Sequence, residues 1–158
     1  MGTTPNRQLP YPELSDQANV PADMQELAMA LDTALYDTGW IDGGAGGSIL
    51  VANATNFTLT ISRIRVVGKV CEVYIGGTMK VSPAITSTTG DIGNTPLGTL
   101  VAAYRPVGAP SLPLGTADTG RMVAANVNSA GVVSLSSTGG SVVLAIGEAV
   151  TVAGTYLL

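Results

Sequence analysis

From Ile49 onward, apolar and polar positions alternate in short runs, and this period of two predicts antiparallel β-strands. In FTLTISRIRVV, Phe57, Leu59 and Ile61 alternate with Thr58, Thr60 and Ser62, and the preceding ILVANA is equally β-prone. RIRVV and VCEVYI flank Gly68-Lys69, a two-residue spacing that predicts a tight hairpin. Gly76-Gly77 is expected to end that strand, with TMKVS continuing towards Pro83. Thr86 to Gly98 (TSTTGDIGNTPLG) reads as a long polar loop. LVAAYRPVG, PSLPLG, RMVAANV, VVSLSS, SVVLAI and AVTVAGTYL read as further strands. Asn128-Ser129-Ala130-Gly131 forms a hairpin turn between two of them. Eight to ten strands between residues 49 and 158 is the spacing of an antiparallel β-sandwich or jelly roll.

Upstream the period changes. In PADMQELAMALDTALYD, the residues Met24, Leu27, Ala28, Leu31, Ala34 and Leu35 recur three and four apart, which predicts one amphipathic helix over 21–38. Pro21 suits its first turn, Asn19 can cap it, Asp23 and Glu26 favour its positive end, and Gly39 is expected to stop it. Two heptads are too few for a helix that stands alone in water. The face formed by Met24, Leu27, Leu31 and Leu35 therefore packs on other copies, on its own β domain or on a neighbouring protein. Residues 1–20 carry Pro5, Pro10 and Pro12 and predict an extended arm without regular structure. Leu9, Tyr11 and Leu14 are its apolar anchors for docking on a partner. Residues 39–48 are glycine-rich and read as a hinge, with Trp40 expected to cap the base of the β core. The chain thus divides into an arm (1–20), a helix (21–38), a hinge (39–48) and a β head (49–158).

Charge content sharpens this picture. Only 11% of residues are charged, against roughly a quarter in ordinary soluble domains, while 46% are hydrophobic. A small β domain has much surface for its volume, so a surface this poor in charge is expected to be covered by other subunits. The charge is also segregated. Residues 1–42 hold seven acids and one base, a net of −6, and residues 43–158 hold six bases and four acids, a net of +2. Neither segment is basic enough to bind nucleic acid by neutralising phosphates. No run of 18 apolar residues exists, so no membrane insertion is expected, and the N-terminal sequence lacks a secretory pattern.

Little chemistry is on offer. The chain has no histidine and a single cysteine, which removes triads built on histidine and the usual zinc and haem sites of one chain. Cys71 lies in an apolar run and reads as a buried small hydrophobe. Glycoside hydrolysis needs two carboxylates across one cleft, and Glu72, Asp91, Asp118 and Glu148 form no recognisable pair. Asp91, Asn94 and Asp118 remain as polar loop groups available to a ligand. No cofactor and no enzymatic activity are expected.

A strand, the corner Tyr104-Arg105-Pro106, a run of short strands and a closing strand with Tyr156 follow one another in a set order. That order resembles the C-terminal head domain of bacteriophage tail fibre and receptor-binding proteins. Trp40 after Gly39 resembles the Gly-Trp step that opens many such heads. The stretch LPYPELSDQANVPADMQELAMALD is similar to the start of minor tail and fibre proteins. The resemblance implies a trimeric β-sandwich head on a virion, with the arm held by other virion proteins. It leaves two roles open: a fibre that binds host surface glycan, or a non-recognising part such as a capsid decoration, head fibre or baseplate protein. Arg105 is expected to tie its corner to a carboxylate or a carbonyl.

Overall fold

The computed structural model describes residues 2–3, 10–11, 20–85, 90–107, 114–117, 122–138 and 143–158. In chain order the elements are β1 (Gly2–Thr3), β2 (Pro10–Tyr11), α1 (Val20–Ala34), β3 (Ile41–Asp42), β4 (Leu50–Ala52), β5 (Phe57–Val67) and β6 (Val70–Met79). There follow β7 (Asp91–Leu100), a 3-10 turn (Ala102–Tyr104), β8 (Leu114–Ala117), β9 (Met122–Val127), β10 (Val132–Ser137) and β11 (Ala149–Leu157). The protein is mainly β with one helix, and all its strand pairs are antiparallel. Nine strands form one sheet in the order β3-β5-β6-β11-β8-β9-β10-β7-β4. Side chains from both ends of that order meet in one core, among them Phe57, Ile64 and Ile75 from one end and Leu50, Leu97 and Leu135 from the other.

The β5–β6 hairpin closes in two residues because Gly68 takes a positive φ of 59°, open to glycine at no steric cost. In the β9–β10 hairpin the Asn128 side chain does the shaping: its Oδ1 accepts the amides of Ala130 and Val132, both at 3.0 Å. The two glycines expected to end β6 instead lie within it. Gly77 faces inward under the Phe57 ring, where an added Cβ would stand 2.5 Å from a ring carbon and collide with the Thr58 carbonyl. Gly76 faces outward under Ile61. With few aromatics in the chain, Phe57 fills the core here only because nothing occupies the space beneath it.

Several expectations change. The alternation of Phe57, Leu59 and Ile61 breaks at a β-bulge, where Leu59 pairs with Gly77 but Ile61 pairs with Gly76. Thr60 is the extra residue, so Ile61 turns outward and Ser62 turns into the core. Buried Ser62 is satisfied by donating its hydroxyl to the Gly44 carbonyl at 2.8 Å. The stretch from Asp91 to Gly98, expected as polar loop, belongs to strand β7, which pairs with β10 and β4 and buries Ile92, Leu97 and Leu100. LVAAYRPVG is no strand beyond Leu100: Ala102–Tyr104 coil into the 3-10 turn. Residues 143–146 of SVVLAI are outside any strand. Trp40 is 53% exposed and caps no core.

The upstream segments also differ. The helix ends at Ala34, four residues earlier than expected, because residues 37 and 38 are drawn onto the edge of β5: Asp37 bridges Val67, and the Thr38 amide donates to the Val66 carbonyl at 3.0 Å. Gly39, with φ of 62°, lies beyond that contact and terminates nothing. The glycine-rich segment is stitched to the sheet. Ile41–Asp42 pair with β5, and the Gly43 amide donates to the Ser62 carbonyl at 2.8 Å. In the arm, Gly2–Thr3 pair with Pro10–Tyr11, so the expected absence of regular structure does not hold there.

Two substitutions test this packing. Gly77→Ala should destabilise the fold by about 1–3 kcal/mol, the range for overpacking a tight site. Tyr156→Phe, which strips the hydroxyl described below from its carbonyl, should cost about 1–2 kcal/mol. Both are read from denaturant midpoints.

Candidate functional site

The helix meets the sheet at the Gly68-Lys69 turn, and this neck gathers the described ion pairs. The Gly68 amide donates to the Tyr36 carbonyl at 2.9 Å, and Gly68 lies so close to the Ala34 carbonyl that a Cβ would stand 2.8 Å from it. Below the turn, the Arg65 guanidinium forks onto Asp37: Nε donates to Oδ1 at 2.9 Å and an Nη to Oδ2 at 2.5 Å. Glu72 stands 3.7 Å from the other side of the same guanidinium. One step further, Arg63 pairs with Asp42 at 3.2 Å. The hydrogen bond from Arg65, followed by one from the Gly39 amide, holds the Asp37 carboxyl down at about 2. Asp42 is lowered by the Gly44 amide and by Arg63, and Arg65 is raised by Asp37.

Cross-strand register fixes the outer face of the neck. Val67 pairs with Val70, which pairs on its other side with Leu157. Val70 is 42% exposed and Leu157 61%. The next row inward is Arg65, Glu72 and Thr155, and the one after is Arg63, Tyr74 and Ala153. An apolar rim therefore borders an ionic row.

Above this rim the apolar face of the helix is exposed. Met24 and Leu35 are at least 60% exposed, and Leu27 and Leu31 are exposed as well. Tyr36 adds to the exposed apolar surface. The helix carries Asp23, Glu26 and Asp32 and no base. A shallow hollow at its C-terminal end is lined by Asp32, Leu35, Tyr36 and Asp37.

The other expected sites scatter. Leu9, Leu14 and Asp118 lie outside the described residues, as does the side chain of Tyr11. Asp91 and Asn94 sit on β7 and not in a long loop, and both serve the fold: Asp91 accepts the Gly93 amide at 2.9 Å, and Asn94 accepts the Asn126 side-chain amide at 3.1 Å. At the corner, the Tyr156 hydroxyl donates to the Tyr104 carbonyl at 2.7 Å, and Arg105 Nε donates to the Leu100 carbonyl at 3.1 Å. Pro106 is buried beside it. Burial pushes the Tyr156 phenol and the Cys71 thiol up, which leaves both neutral. Among the described residues no three His, Cys, Asp or Glu side chains are grouped to hold a metal ion. Nor is any described helix long and apolar enough to cross a membrane.

The neck was missed because its partners are 28 residues apart in sequence. The available signal was the unequal charge of the two segments. Acid tests the pairing directly. An ionised Asp37, held near 2 against an ordinary 3.8, contributes stability that is complete above about pH 4 and lost as pH falls through 2. Protection of the Thr38 and Val66 amides against exchange, measured relative to the intrinsic rate at each pH, should fall over that window, and Arg65→Gln should reduce that fall.

Compared with known proteins, the chain matches no protein family and no curated protein.

Proposed function

We propose that the chain is a structural protein of a bacteriophage particle, a short trimeric fibre. The arm and helix anchor it to other virion proteins, and the β body, a sandwich in this reading, forms its head. The observation that carries the proposal is the helix itself. A stripe of Met24, Leu27, Leu31 and Leu35 is left open to water by a chain that is only 11% charged. Exposed apolar stripes of this length are normally covered in the assembled state. Three parallel copies cover one another about an axis, and positions 24, 27, 31 and 34 follow the three-four spacing that such a bundle uses. The resemblance of the arm and the Tyr104-Arg105-Pro106 corner to fibre proteins supplies the virion setting. The reading involves no catalytic step, no cofactor and no nucleic acid.

Within that setting, one observation favours the non-recognising role, a capsid decoration, head fibre or baseplate component, over a glycan-binding one. Of the three groups expected to be available to a sugar, Asp91 and Asn94, the two within the described residues, are engaged in holding β7 and its neighbour. Purified protein that labels the host envelope would reverse that preference.

Native mass measurement should give three times 15.9 kDa. A species of one chain would reject the oligomer. Leu31→Asp should release monomers while leaving the thermal unfolding of the β body unchanged. A variant that keeps the parent's native mass would show that this face is not the seam.

A further inference from the structure

The described ionic groups of the body are matched almost completely within the chain. Arg63 has Asp42, Arg65 has Asp37 and Glu72, Lys80 donates to the Ala54 carbonyl at 2.8 Å, and Arg105 donates to the Leu100 carbonyl. Lys69 is the exception: it is exposed and makes no ion pair or side-chain hydrogen bond among the described residues. It stands at the tip of the turn that abuts the end of the helix. The helix shows the converse. Its last turn holds no base to offset the negative end of its dipole, and Asp32 is likewise unpaired among the described residues. Parallel bundling would make this worse, because three negative helix ends and three Asp32 carboxylates would then gather at one level.

We propose that the Gly68-Lys69 turn of each copy seats against the last helical turn of a second copy. Lys69 faces Asp32 there, and the rim of Val67, Val70 and Leu157 covers Leu35 and Tyr36. The level is right. Gly68 touches Ala34 of its own helix, and in a parallel bundle the same turn of a neighbouring helix lies about 8–10 Å away, within a lysine's reach. The chemistry matches on both counts, a cation and an acid each unpaired among the described residues, and an apolar rim to the apolar side chains of Leu35 and Tyr36. Closed around a three-fold axis, the contact occurs three times. The inference rests on the trimeric reading above and adds to it a second seam, between body and helix.

The test uses the full chain carrying both Lys69→Cys and Asp32→Cys, treated with a short bis-maleimide. Cys71 can stay, since it is fully buried, and the parent chain serves as the control for its reactivity. The expected result is covalently joined chains up to three on a denaturing gel, with each single variant giving two at most. Chains that stay unlinked while the native mass remains that of three would overturn this contact and leave the oligomer standing. A native mass of one chain would overturn both. As an independent measurement, Lys69→Glu should weaken self-association about tenfold, the combined effect of three exposed pairs lost together. Adding Asp32→Lys should restore it, and failure of that rescue would also overturn the proposal.

Discussion

The fold depends on its final strand. In the nine-stranded sheet, β11 lies between β6 and β8, and among the described residues it is the strand through which β3, β5 and β6 are hydrogen-bonded to the other five. Its pairing with β6 runs without a break from Ala149 opposite Thr78 to Leu157 opposite Val70. The inner positions Val150, Val152 and Tyr156 then complete the core. Tyr156 also ties the strand to the 3-10 turn through the Tyr104 carbonyl. Until this strand is in place, each half of the sheet exposes an unpaired edge and half a core. Contacts so distant in sequence carry a large loop-closure cost, which this strand's pairing and burial must offset.

The same strand helps to build the neck. The Leu158 amide donates to the Lys69 carbonyl at 2.9 Å, and Val107 donates to Leu157 at 3.0 Å, so the turn that receives the helix is braced by the end of the closing strand. Ionic pairs as exposed as Arg63–Asp42 add little to stability by themselves. Arg65 is different in kind, because its planar fork fixes the direction in which the chain leaves the sheet. Charge in this protein is scarce, and it is placed where one rigid segment has to meet another at a set angle.

Local patterns in the sequence pointed to the hairpins, to the amphipathic helix and to a mainly antiparallel β body, since turn residues and periodicity act over a few positions. What they could not reveal was decided across the sheet. The phase change at Thr60 depends on Gly76 and Gly77 lying opposite, which the run FTLTISRIRVV does not contain. Asp91–Leu100 looked polar because Gly93, Asn94 and Pro96 interrupt it, yet it is held as a strand by neighbours on both sides. The helix gave way early because Arg65 and Val66 compete for the next residues. Of the candidate groups, the corner residues sit together in the fold, while Asp91 and Asn94 turned out to be structural and Lys69 was not singled out at all.

The outermost strands of the sheet, β3 and β4, are stubs of two and three residues. One of them ends in Asp42, whose charge lies on the rim. A foreign strand approaching either border meets a ladder only two or three residues long, and at the β3 border the Arg63–Asp42 pair as well. Such stubs offer an incoming strand little continuous backbone to pair with.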